Sequence, residues 1–194
     1  MCNICFARTY NYPVLEHLIS RGMDYSKYRL HVDNPLVTFY LYNLSGQLVG
    51  YHRYNFRIFD KGVKNDPRMG RYYTKVSRRE PRDSADPRPR DTLAVWGLEV
   101  LDRSKKTLYI VEGVFKAAVL HRLGFNAIAV LTATPKPMKP WFKVMRQQFD
   151  LVGIGDPDAA GQKLVNTVGK GFQSPKDLDE MTDQEILELL RKNA

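Results

Sequence analysis

Two carboxylates stand either side of a proline in "LVGIGDPDAAGQK", residues 151 to 163, directly after an apolar run and before small residues. Asp156 and Asp158 are hard oxygen donors at i and i+2, and Pro157 fixes φ between them. Mg²⁺ is commonly held by one or two such carboxylates together with water and substrate phosphates. Ala159, Ala160 and Gly161 would leave room for a nucleotide or backbone phosphate. Glu112 likewise follows an apolar run, "TLYIV" at 107 to 111, and "SPKDLDE" repeats the D-x-D spacing with Asp177 and Asp179. Each feature also has a purely structural account. Asp158 suits a helix N-cap and Asp156 a solvated turn. Glu112 suits a first helical turn, and Asp177 and Asp179 a loop approaching a helix. No Ser/His/Asp or Cys/His set for nucleophilic catalysis stands out, and the four histidines are scattered.

The elements that must position these acids follow from periodicity. From about residue 105 the chain alternates strand and helix: strand 107 to 111, a helix in "EGVFKAAVLHRLG" ending at Gly124, strand 127 to 133, a helix from Lys139 or Pro140. A strand at 150 to 155, a helix in "DAAGQKLVNTVG" and a closing helix in "DQEILELLRKN" complete the series. Such alternation predicts a parallel sheet covered by helices. In that architecture functional groups gather at the carboxyl ends of the strands. If the strands ending at Val111 and Gly155 are neighbours, Glu112, Asp156 and Asp158 meet above one edge of the sheet. Upstream, "YPVLEHLISRG" (12 to 22) has helical spacing with Gly22 as its stop. "PLVTFYLYN" (35 to 43) and "LVGYHRYNF" (48 to 56) read as a β-hairpin across "LSGQ". Residues 57 to 91 read as a long basic loop with "RYYTKV" (71 to 76) as its strand-like island. The reading is α/β: a Rossmann-like parallel-sheet domain at 105–194, preceded by a smaller mixed α+β basic subdomain at 1–104.

The 194 residues carry a net charge of +9, which points to a polyanionic partner. Residues 51 to 91 hold twelve Lys or Arg against six Asp or Glu, whereas residues 150 to 194 hold nine acids against five bases. A basic half beside an acidic half fits a nucleic-acid groove leading to a metal centre. Aromatic residues are dense from 38 to 73, and ring stacking beside Arg is one way to hold a single strand. Strand alternation assigns Phe39, Tyr51 and Phe56 to the core instead, and Trp96 and Trp141 to packing. Cys2 and Cys5 form C-x-x-C, half of a zinc ribbon without its second half, and suggest a reducing compartment. No run of about 18 apolar residues is present, so no membrane span is expected. No signal peptide is read at the start.

Taken in order, "IVEG" after a strand, "DPDAAG" after a later strand and "KDLDE" beyond it resemble the TOPRIM domain of topoisomerases and bacterial-type primases. "LEHLISRGMDYSKYRLHV", "VTFYLYNLSGQLVGYHRYNF", "GRYYTKV" and "TLAVWGLEVLDRSKKTLYIVEG" are similar to the successive motifs leading into that domain in the primase RNA-polymerase core. The resemblance runs from about residue 12 to the end. It implies a metal-dependent nucleotidyltransferase that synthesises short RNA primers on single-stranded DNA. It implies that Glu112, Asp156 and Asp158 form the catalytic set, with Glu112 in acid–base work. Mg²⁺ or Mn²⁺ would be held by Asp156, Asp158, Asp177 and Asp179. Arg53, Arg71 and Lys75, with Lys116, and with Lys136 and Lys139 after the small-residue loop at 132 to 134, would contact template or nucleotide phosphates.

The chain departs from the pattern at Lys116, where many family members have an aspartate. An i,i+4 pair with Glu112 is one account of Lys116, and a phosphate contact is the other. No counterpart of the family's zinc-binding or helicase domains is read, so the chain resembles a phage or mobile-element version, and a bacterial cytoplasm, with a phage origin, is expected. A replicative helicase and a separate zinc-binding protein are then the expected partners, beside the DNA template and ribonucleoside triphosphates. Two other functions share these residues: a TOPRIM nuclease that hydrolyses a phosphodiester, and a non-catalytic single-strand-binding module derived from a primase.

Overall fold

The computed structural model describes residues 12–59, 66–79, 90–91, 93–132 and 135–193. Cys2 and Cys5, and parts of the basic segment at 57 to 91, lie outside these residues. The chain divides into two compact units, one of Met1–His17 with Tyr25–Val95, the other of Leu18–Asp24 with Trp96–Ala194. The expected boundary at 104/105 therefore stands about ten residues earlier, and a short N-terminal segment is built into the second unit. Among the described residues no helix is long and apolar enough to cross a membrane.

The first unit is an antiparallel sheet in the order β1-β2-β3-β4: β1 (Leu30–Asp33), β2 (Leu36–Tyr42), β3 (Leu48–Asn55) and β4 (Tyr72–Val76). β1 was not anticipated; its short L-H-V-D stretch pairs with β2 from Leu30↔Phe39 to Asp33↔Leu36. The expected hairpin is β2–β3, and its turn is held by the Asn43 side-chain oxygen, which accepts from the Ser45 and Gln47 amides at 3.0 Å each. Period-two alternation buries Val37, Phe39 and Leu41 on one face, with His52 and Tyr54 of β3 beside them. Helix α1 (Tyr12–Ser20) adds His17, whose Nε2 lies 2.7 Å from the Tyr54 hydroxyl. Tyr51 is not core. It is half-buried and pairs across the sheet with Lys75, on the face opposite Phe39. Phe56 is half-buried too, stacked on His17, while Phe39 is fully buried. Two short strands, β5 (Arg78–Arg79) and β6 (Arg90–Asp91), pair antiparallel.

The second unit is the parallel sheet the alternation implies, in the order β10-β9-β7-β8. β7 is Thr107–Val111, β8 Asn126–Ala129, β9 Asp150–Gly155 and β10 Gly171–Gln173. Helices α2 (Val114–Arg122), α3 (Lys139–Met145), α4 (Ala159–Val168) and α5 (Asp183–Lys192) follow the predicted stretches. Strand β8 ends earlier than the expected 133, because the chain turns away at Leu131, whose φ is 55. The Val130 and Leu131 amides then bond to the carbonyls of Val111 and Glu112 at 2.9 Å. β10 was not anticipated, being three residues long and flanked by glycine. The core comprises Leu108, Ile110 and Val111 of β7, Ile128 of β8, Ile154 of β9 and the whole Val114–His121 run of α2. Eight consecutive buried helical positions mark α2 as an interior helix, so Lys116 belongs to a segment without a solvent face. Trp96 and Trp141 pack as expected, at 0% and 4% exposure.

His52 generates a pH test. Burial pushes its imidazole down to about 4, and it sits between Phe39 and Tyr72 with Nδ1 2.7 Å from the Thr74 hydroxyl. The folded state therefore keeps His52 neutral, while the unfolded chain takes up a proton below about pH 6.5. Its contribution is intact above pH 6.5 and lost as pH falls toward 4, by at most roughly 3 kcal/mol. Urea midpoints of wild type and His52→Gln, measured between pH 7 and 4.5, should show a steeper acid-side loss in the wild type.

Candidate functional site

Strand pairing assembles the site. β7 and β9 are adjacent and parallel, in register from Thr107↔Asp150 to Ile110↔Gly153. Glu112 leaves the carboxyl end of β7 and Asp156 the carboxyl end of β9, so the two acids emerge at the same edge of the sheet, as the sequence implied. Lys116 follows one helical turn later on α2.

The Asp156-Pro157-Asp158 turn is held by groups the sequence did not single out. Gln173 of β10 donates its side-chain amide to the carbonyls of both Asp156 and Asp158 at 2.8 Å. Ser174 donates its backbone amide to the Gly155 carbonyl at 2.8 Å. Asp158 is the N-cap of α4, its Oδ1 accepting from the Gly161 amide at 2.7 Å. The space beside Gly161 is not free for a ligand. A Cβ there would lie 2.2 Å from the Asp156 carbonyl oxygen, and one on Gly155 would lie 2.2 Å from the Gly161 oxygen. The chain's own backbone fills the room that these small residues leave.

Lys116 is the centre of the constellation. Its ammonium bonds to Asp156 Oδ1 and lies 3.1 Å from Asp177 Oδ1, with the lysine side chain 10% exposed. Of the two accounts of Lys116, the i,i+4 pair with Glu112 is not formed; these two bridges stand instead, because α2 turns Lys116 toward the end of β9 and the loop before the 3₁₀ turn at Leu178–Glu180. Burial opposes its charge, but the hydrogen bond and charge of Asp156, with those of Asp177, hold its pKa above the usual lysine value. Among the described residues Glu112 has no hydrogen bond or ion pair to its carboxyl. Burial first, then the negative charges of Asp156, Asp158 and Asp177, push its pKa up against the opposing pull of Lys116. A half-buried, partnerless carboxyl that holds its proton more readily than usual suits proton transfer.

Asp179 stands apart from its neighbour Asp177. Its carboxylate, only 4% exposed, is taken by the Arg21 guanidinium, with Nε at 3.1 Å. Arg21 also lies over the Phe115 ring at 4.3 Å. Asp179, anticipated as a ligand, is here engaged in an ion pair that ties Leu18–Asp24 to the rest of the second unit. Gly22, at φ 74, ends α1 as predicted, its amide bonding to Ile19 and that of Met23 to Leu18. The signal for Arg21 was present in "ISRG", but an exposed helix-end arginine looks the same in sequence.

The donor chemistry suits one Mg²⁺ or Mn²⁺ at Asp156 and Asp158, each of which keeps one carboxylate oxygen without a partner among the described residues. It does not suit a second ion between Asp156 and Asp177, where the ammonium already sits. Among the described residues no group of three or more His, Cys, Asp or Glu side chains converges as a metal cluster.

The basic candidates fall in both units. In the first, Arg53 donates to the Arg68 carbonyl at 2.8 Å and lies over Tyr73 at 5.5 Å. Register places Arg53, Tyr51, Tyr73 and exposed Lys75 on one sheet face. Arg71 lies over Tyr54 and Tyr72, and its buried Nε makes no hydrogen bond among the described residues. In the second unit Lys139 is exposed at the start of α3. The Lys136 side chain and residues 133 and 134 lie outside the described set.

No protein-family model and no curated protein sequence matches the chain. Solved structures do. The zinc-binding and RNA polymerase domains of Aquifex aeolicus primase match at TM-score 0.62 and 18% identity, over 94% of this chain and 55% of that one. The primase fragment of the bacteriophage T7 primase-helicase matches at TM-score 0.57 and 18% identity, over 90% and 70%. A DnaG primase catalytic domain bound to single-stranded DNA matches at TM-score 0.54 and 16% identity, over 92% and 57%. The chain spans little more than half the length of the two bacterial structures. At these identities what is shared is the fold, and it is that of the primase catalytic core.

Two substitutions test this construction. Gly161→Ala should cost about 2–3 kcal/mol in urea unfolding, by forcing α4 off the end of β9. Arg21→Ala should cost roughly 3 kcal/mol by leaving Asp179 buried and unpaired. The double change with Asp179→Ala should recover part of that loss.

Proposed function

We propose that this chain is the nucleotidyl-transferring core of a primase, joining ribonucleotides on a single-stranded DNA template. The observation that carries the proposal is the meeting of Glu112, Lys116, Asp156, Asp158 and Asp177 at one sheet edge of a primase-like fold. Asp156 and Asp158 would hold Mg²⁺ or Mn²⁺, which when bound activates a primer 3′-hydroxyl and neutralises triphosphate charge. Glu112, with its raised pKa and free carboxyl, would exchange the proton of the attacking hydroxyl. Lys116 contributes fixed positive charge where phosphate charge develops.

Arg53 and Lys75, beside Tyr51 and Tyr73 on one face of the antiparallel sheet, would bind the template by backbone charge and base stacking. Such a face favours template-directed synthesis over simple phosphodiester hydrolysis. Single-stranded DNA is bound by one structural neighbour, and a zinc-binding domain accompanies another. We extend both to this chain as its template and as a partner acting in trans, together with a replicative helicase, in a phage-infected or bacterial cytoplasm. One observation favours a second reading, a non-catalytic single-strand-binding module: the bridging of Asp156 and Asp177 by Lys116.

Incubation with single-stranded DNA, labelled ribonucleotides and Mg²⁺ or Mn²⁺ should yield short oligonucleotides, reduced at least a hundredfold in Asp158→Ala, the scale of losing a metal-held transition state. Degradation of the DNA without synthesis would mark a nuclease. Binding without turnover, unchanged in Asp158→Ala, would mark the binding module.

A further inference from the structure

We propose that Lys116 is a built-in cation that takes the place of one divalent metal ion in this site. The inference rests on the reading of Asp156 as a metal-facing carboxylate made above, and asks how many ions the acids can draw. Lys116 Nζ bridges two carboxylates from separate parts of the chain, Asp156 at the end of β9 and Asp177 before the 3₁₀ turn. That is the place a bridging ion would take. The ammonium is a compact point charge with three donors and no acceptor, and α2 delivers it from a helix buried from Val114 to His121. It cannot swing into solvent without leaving Asp156 and Asp177 facing each other unneutralised.

Charge counting gives the same answer. Arg21 neutralises Asp179. Glu112, Asp156, Asp158 and Asp177 remain as the acids of the edge, and Lys116 offsets one of them. One divalent ion on Asp156 and Asp158 brings the edge close to neutrality. A second would share Asp156 with an ammonium, against strong like-charge repulsion in a half-buried site. Removing the lysine charge, and nothing else, should therefore admit one more ion.

The test is a count of bound Mn²⁺ by electron paramagnetic resonance, with isothermal titration as a second reading, on wild type, Lys116→Gln and Lys116→Arg. The expected result is one more Mn²⁺ per chain in Lys116→Gln than in wild type, and no increase in Lys116→Arg, which keeps the positive charge. Equal or lower occupancy in Lys116→Gln, with far-UV circular dichroism showing it folded, would overturn the proposal. Two tightly bound ions in the wild type would overturn it without any variant. If Lys116→Gln does not fold in buffer, added Mn²⁺ should restore its folding, and failure to restore it also counts against the idea. Primer synthesis is measured separately. Wild type with one ion but no synthesis would defeat the proposed function and leave this inference standing.

Discussion

The parallel pairing of β7 with β9 is the constraint on which the rest depends. Its register sets the ends of the two strands level, so that Glu112 and Asp156, far apart in sequence, leave the sheet together. A parallel pair needs a crossover between its strands. Here β8 and two helices intervene, and β8 adds to the far side of β7 rather than separating the pair. The edge strand β10 then extends the sheet beyond β9 and supplies Gln173 to brace the acidic turn from outside. The two glycines at 155 and 161 let β9 and α4 meet at backbone distance. Loss of that contact would shift Asp158, and with it the cap of α4.

Electrostatics at this edge is a balance of opposed costs. A buried ammonium is expensive to desolvate, and Lys116 is tolerated because two carboxylates accept from it. The pKa of Glu112 is raised by its own burial first, and those carboxylates add to the rise. The site is therefore coupled: altering Lys116 changes the proton affinity of Glu112 as well as the charge beside Asp156. Asp179 is removed from this coupling by Arg21, which explains how two aspartates two residues apart play different parts.

Much of this was legible in the sequence. The bounds of β7 and β9 follow from apolar runs ended by an acid or a glycine, and the stops at Gly22 and Gly124 follow from their left-handed backbone. The acids at the sheet edge follow from the strand–helix alternation. What could not be read was pairing across distance. Nothing local distinguishes Lys116 facing Glu112 from Lys116 facing Asp156, since the choice depends on the roll of a helix that is buried on every side from Val114 to His121. β1 and β10 escaped notice because each is short and gains its order from a neighbour rather than from its own pattern. Tyr51 was misplaced because an aromatic residue in a strand suits either face, and the register alone decides.

The segment Leu18–Asp24 carries a last implication, for the order in which the molecule is made. Arg21 closes on a partner 158 residues later in the chain. On a ribosome, the segment holding Arg21 emerges early and must wait for nearly everything else before its contact exists, whereas the antiparallel sheet can close on itself well before. The parallel-sheet unit is thus completed by a segment made long before the rest of it. Trimming the chain back to residue 96 would remove the arginine that lets Asp179 be buried, so a unit made for expression, or for fusion to another protein, has to include Leu18–Asp24.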